Sequence, residues 1–177
     1  MKHMLLSILL VLLAIPARAD CGRKEWHTRV RSILVRLFPN DEMASNVRLV
    51  FICDPRPDAT YSNGNMVIDS GLMKFKRAEI AAVLAHEMGH AKLEQDIAFG
   101  LFGESLAALE KDEIDADDFS LVTLRRAGYG PCDAYHAMAK ALPYFPSILK
   151  NPTGPHNRIV VHRFGRLQEA CKQGGVT

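Results

Sequence analysis

The sequence predicts an α+β fold, mostly helical, with a small β-sheet beside one buried, alanine-rich helix. Three observations predict it. Apolar residues recur at helical spacing over residues 25–37, 78–93, 109–127, 131–142 and 158–171. Two short runs, 47–53 and 66–69, are rich in β-branched and apolar residues, as strands are. The segment 78–93 carries Ile80, Val83, Leu84 and Met88 on one face and alanines over much of the rest, the pattern of a helix covered on most sides.

In the first helix, Trp26, Val30, Ile33, Leu34 and Leu37 share a face, and Arg29, Arg31 and Arg36 fall on what is expected to be a solvated one. Phe38-Pro39-Asn40-Asp41 ends it. Val47–Cys53 is a strand, Asp54–Asp58 a loop, Ser62–Asn65 a turn and Met66–Asp69 a second short strand. Phe99–Gly103 form an apolar, glycine-broken patch, a short helix or a flap. The helix over 109–127 ends at Arg125-Arg126 and Gly128, cations and glycine being favoured there. Two proline-rich stretches, 143–146 and 151–155, frame a loop before the last helix. On that helix Val160, Phe164, Leu167 and Cys171 form one stripe.

The first 19 residues have a different layout. A short basic start, an apolar run from Met4 to Ile15, then Pro16 and Ala17-Arg18-Ala19 make a cleavable secretory leader. The run is shorter than the roughly 20 residues a bilayer span needs. Residues 20–177 are then expected to form a single domain with no stable membrane span. The whole chain carries a net charge of +2, and losing Lys2 and Arg18 with the leader leaves it neutral. A neutral surface excludes the electrostatic footprint of a nucleic-acid binder. Behind such a leader, Cys21, Cys53, Cys132 and Cys171 imply two disulfides. Antiparallel packing of the first helix and strand favours Cys21–Cys53, and antiparallel packing of the last two helices favours Cys132–Cys171. The compartment implied is periplasmic or extracellular.

His86-Glu87-Met88-Gly89-His90 lies within the buried helix. Histidines four residues apart project from one face and can take two corners of a zinc tetrahedron. Glu87, beside the first ligand, can act as base toward a water there. Buried polar groups need partners, and a metal is one. A third ligand is required. Asp96 lacks the tight turn that its spacing would need, because Leu93 stands where a glycine belongs. Glu104 sits in the glycine-broken patch. Glu113, on the next helix, is the best placed. Asp117, one turn on, can hold the free ring nitrogen of a ligating histidine. Asp112, Asp115 and Asp118 belong to a solvated face.

The stretch Ala82-Val83-Leu84-Ala85-His86-Glu87-Met88-Gly89-His90, then Glu113-x-x-Ala116-Asp117, then Arg126-Ala127-Gly128-Tyr129, resembles the HtpX/BepA-type gluzincin peptidases, a group that includes the CAAX prenyl protease type. The resemblance extends back to Gly64–Leu72 and forward to Pro155–Ile159. It implies a zincin-like metallopeptidase domain in a minimal, soluble form. It also implies one Zn2+ per chain on His86, His90 and Glu113, with Glu87 as catalytic base and Asp117 behind a ligating histidine. His156 or Arg158 matches the residue that steadies the oxyanion. The activity expected is hydrolysis of peptide bonds in protein substrates, in envelope protein processing or quality control. Met66, Val67 and Ile68 are expected to offer a sheet edge to an extended substrate. Two other classes stay open. One is a catalytically silent chaperone or assembly factor with envelope partners, and the other is a zinc hydrolase of a non-peptide substrate.

Overall fold

The computed structural model describes residues 23–93 and 105–174. The leader, Cys21, Asp96, Glu104 and the patch Phe99–Gly103 lie outside the described residues. The fold is α+β and mostly helical, with one three-stranded sheet.

Helix α1 (Arg23–Leu37) buries Trp26, Val30, Ile33, Leu34 and Leu37, the predicted face. Its arginines do more than meet solvent. Arg31 donates to the carbonyls of Ala44 and Val47 at 2.9 and 2.8 Å, satisfying groups that the short helix α2 (Glu42–Asn46) leaves open. Arg36 donates to Ala127 O at 3.0 Å and lies 4.6 Å over the Tyr129 ring. Helix α2 itself was not expected. Asp41 caps it by accepting from the Ala44 amide at 2.9 Å.

The sheet holds β1 (Arg48–Ile52), β2 (Ala59–Ser62) and β3 (Asn65–Asp69) in the order β1-β3-β2. β1 runs parallel to β3, with Val50 opposite Val67. β2 runs antiparallel to β3, with Thr60 opposite Val67. Asn63 and Gly64 both take positive φ, 48° and 75°, the backbone a tight two-residue hairpin demands. This corrects the expected substrate edge. Met66, Val67 and Ile68 lie on the central strand, whose two edges are both paired, and Met66 and Ile68 are fully buried. The strand left at the sheet margin beside the buried helix is β2.

A 3-10 turn (Ser70–Lys74) leads into α3 (Arg77–Lys92), which Glu79 starts by accepting the Lys76 amide at 2.6 Å. Ile80, Leu84 and Met88 are fully buried, and so are Ala81 and Ala85. α4 (Leu106–Arg126) packs along α3, and Ser120 Oγ donates to Ala82 O at 3.3 Å inside the interface.

α5 (Pro131–Ala141) packs on both α3 and the last helix, α7 (Pro155–Gly174). Cys132, at the start of α5, is bonded to Cys171, near the end of α7, as antiparallel packing predicted. Cys53 is also disulfide-bonded. The expected loop between α5 and α7 contains a 3-10 turn (Leu142–Tyr144) and α6 (Pro146–Lys150). Proline misled the expectation here: it stands in the first turns of these elements and of α7, where no N–H is missed. No helix among the described residues is long and apolar enough to cross a membrane.

Candidate active site

α3 presents His86 and His90 one turn apart, with their Nε2 atoms 3.1 Å from each other and their rings edge to face. α4 brings Glu113 to the same point. Its Oε2 lies 3.4 Å from His86 Nε2 and its Oε1 3.8 Å from His90 Nε2. The three donor atoms lie within 4.8 Å of one another. Tetrahedral zinc with ligand bonds of about 2.0–2.1 Å sets neighbouring donors roughly 3.3 Å apart, so the spacing fits one ion. The donor chemistry, two imidazoles and one carboxylate, fits it too.

Asp117 stands one turn beyond Glu113, its Oδ1 2.9 Å from His86 Nδ1. In its neutral form, with Nδ1–H donated to this carboxylate, His86 keeps its lone pair on Nε2, the atom that faces His90 and Glu113. Burial and the nearby Arg163 both oppose a charge on the His86 ring. Asp117 and Glu113 outweigh them and raise its pKa to about 9. Burial likewise opposes ionisation of Glu113, but His86 and Arg163 prevail and bring it down to about 2. The same balance holds Asp117 well below the usual carboxylate range.

Glu87 is buried on the cleft side of α3, and its Oε2 accepts the Tyr61 amide of β2 at 2.9 Å. The edge strand thus fixes the carboxylate. Burial pushes its pKa up to about 7, with Glu113 adding to the effect against His86.

Arg163, on α7, is the residue that sequence reasoning did not find. Its Nε and Nη2 each donate to Asp117 at 2.9 Å, a two-pronged pair. Nη1 donates to Glu113 Oε2, and Nη2 lies 3.2 and 3.3 Å from the two ring nitrogens of His86. His156 and Arg158 are not brought to this point. α7 begins at Pro155, so both sit in its first turn and are exposed, and neither lines the cleft. The signal that could have found Arg163 is its place between Val160 and Leu167 at helical spacing, an arginine bordering an apolar stripe; all three line the cleft.

The cleft has a volume of about 370 Å³. His86, Glu87, His90, Glu113, Asp117 and Arg163 line it, together with Ala59 and Thr60 of β2. No curated protein matches the chain. Residues 25–109, which include the whole His86–His90 motif and stop short of Glu113, match the family model of Peptidase family M48, and this supports the M48 metallopeptidase family for the chain.

Proposed function

We propose that the chain is a zinc-dependent endopeptidase of the HtpX/BepA type within that family, holding one Zn2+ on His86, His90 and Glu113. One observation carries the reading: three donor atoms of suitable chemistry converge within 4.8 Å, and the buried Glu87 faces the same cleft. The ion, when bound, supplies Lewis acidity toward a carbonyl and a water.

The chain's own residues supply the rest. Glu87 takes the proton of the attacking water and returns it to the leaving amine. The Tyr61 amide holds Glu87 in place for both transfers. Asp117 keeps the His86 ring in one tautomer and orientation. Arg163 takes the role expected of His156 or Arg158. Its guanidinium sits beside the ligand set, where it can donate to the oxyanion of the attacked carbonyl. β2 takes the role expected of Met66–Ile68, offering its edge to an extended polypeptide.

Residues 1–19 are assigned as a cleaved leader, and the protein as acting on protein substrates in the periplasm or beyond the cell. The Cys132–Cys171 bond supports an oxidising compartment. Zinc stoichiometry and casein hydrolysis test the reading together. One zinc per chain is expected, with turnover lost on chelation and restored by zinc. A protein that binds no zinc, or turns over equally well without it, would sink it.

A further inference from the structure

The turn that leads into α3 gathers positive charge from three parts of the chain. Lys74, Lys76 and Arg77 are exposed along it. Arg29 of α1 donates to Met73 O and Phe75 O, at 3.3 and 2.9 Å. Lys140 of α5 donates to Lys74 O at 3.1 Å. Arg77 donates to Ser32 Oγ at 3.0 Å, which keeps it beside α1. These five cations thus share one short stretch of backbone. Among the described residues, the carboxylate paired with them is Glu79, which is buried and lies 3.0 Å from Lys140. Glu25, one turn before Arg29, is the acid of α1. Like charges this close raise the local potential and attract an anionic partner.

The group adjoins the cleft. Lys140 is followed by Ala141 and Leu142, and Arg77 lies on the helix that carries Val83; all three of these apolar residues line the cleft. The rise of α3 from Arg77 to His86 is roughly 14 Å at about 1.5 Å per residue. An extended polypeptide covers that distance in about four residues. We propose that this patch is a docking surface for an acidic segment of the protein substrate, several residues from the bond that is cut. It rests on the peptidase reading, because continuity with the cleft is what makes the partner the substrate's own chain. Lysines suit such a partner, since each is a mobile point charge that pairs with a carboxylate without fixed geometry. Contacts of this kind speed encounter and fade with salt.

The test measures binding, so that it does not depend on turnover. Zinc-loaded Glu87→Gln protein is titrated with fluorescent peptides that share a central segment and carry a run of glutamate, serine or lysine at one terminus or the other. In one of the two orientations the glutamate peptide is expected to bind about tenfold or more tightly than the serine peptide at low salt, and the lysine peptide more weakly than both. The advantage should vanish near 1 M salt, where charges are screened beyond about 3 Å. The combined Lys74→Glu, Lys76→Glu and Arg77→Glu variant should lose it, and an acidic side chain at position 77 suits the start of a helix. The milder Lys74→Gln, Lys76→Gln pair should lose part of it. Reversing Arg125 and Arg126, exposed at the end of α4, should leave most of it. Circular dichroism establishes that each variant is folded. Equal binding of the glutamate and serine peptides, or a preference unchanged in the folded patch variants, overturns the proposal. So does capture of phosphatidylglycerol vesicles without any preference for the glutamate peptide, which would make the partner a lipid surface. A preference that follows the patch while the wild type hydrolyses none of the peptides would uphold the docking surface and count against the peptidase reading.

Discussion

Gly89 of α3 lies against Ala116 of α4 so closely that a Cβ on Gly89 would stand 3.1 Å from both Ala116 Cα and Ala116 O. This contact sets the separation of the two helices. Glu113 and Asp117 flank Ala116 in sequence, and His86 and His90 flank Gly89, so the separation also sets the distance from imidazole to carboxylate. Gly89→Leu is expected to destabilise the protein by about 1–3 kcal/mol through overpacking. It should also weaken zinc binding by more than a comparable change elsewhere on α3. Thermal melts with and without zinc check both. Full zinc affinity in a folded Gly89→Leu protein would show that the contact does not position the ligands.

Arg163 joins α7 to both carboxylates of α4 and lies beside His86. Arg163→Met should retain zinc and lose about 100-fold or more in kcat, with a smaller change in KM, as expected for a group that acts on developing charge. Arg163→Lys should not rescue it, because an ammonium cannot make the fork to Asp117. Zinc-free Arg163→Met should be destabilised by about 3 kcal/mol, since buried carboxylates lose their cation. Adding zinc should return part of that. Activity near wild type in zinc-loaded Arg163→Met would remove Arg163 from the chemistry.

β2 is the strand at the sheet margin, and Thr60 lines the cleft from it. Asp69 N donates to Asp58 O at 2.9 Å, so in this register Thr60 bonds inward to β3 while Ala59 and Tyr61 turn their backbone groups outward. Their amides are taken by Asp58 and Glu87, which leaves the carbonyls of Ala59 and Tyr61 to accept from an added strand. Peptide substrates methylated on the backbone nitrogens beside the scissile bond are expected to lose about tenfold or more in kcat/KM. Turnover unchanged by such methylation at every position would argue against strand addition.

Glu79 ties the start of α3 to α5 through Lys140 Nζ, 3.0 Å away. Burial opposes ionisation of Glu79, but the Lys76 amide and Lys140 together hold its carboxyl below the ordinary value of 4.5. A depressed folded pKa makes the stabilisation whole above that value and loses it as pH falls through the folded one. Lys140 is 40% exposed, so solvent screens the pair and its contribution stays under about 1 kcal/mol. Denaturant melts from pH 7 down to pH 3 should show Lys140→Met less stable than wild type at neutral pH and converging with it at the acid end. A gap that widens toward acid would reverse the sign and refute the assignment.

The parts of this site that are local in sequence were legible there. His86, Glu87 and His90 fall within one turn and a half of a single helix, so helical geometry alone places them together. Glu113 and Asp117 share a face for the same reason, although no local rule shows that this face meets α3; the Gly89–Ala116 approach does that. The strand order was not legible. β3 follows β2 through a tight hairpin, yet it also pairs with β1, and that non-local pairing takes Met66–Ile68 away from the edge. The turn at Ser62–Asn65 was legible, but not the strand Ala59–Ser62 that its Asn63-Gly64 joins to Asn65–Asp69. Arg163 stands 77 residues from His86, and its place depends on α7 crossing α4, which a stripe of apolar residues implies without specifying register.

The central claim is that Glu87 moves protons at a zinc site made by His86, His90 and Glu113. The most direct measurement is zinc content and peptide turnover on wild type and Glu87→Gln side by side. The account predicts one zinc per chain in both proteins and turnover in the wild type alone. Turnover preserved in Glu87→Gln, or zinc absent from both, would contradict it. Zinc in both with turnover in neither would favour an assembly factor that keeps the zinc fold.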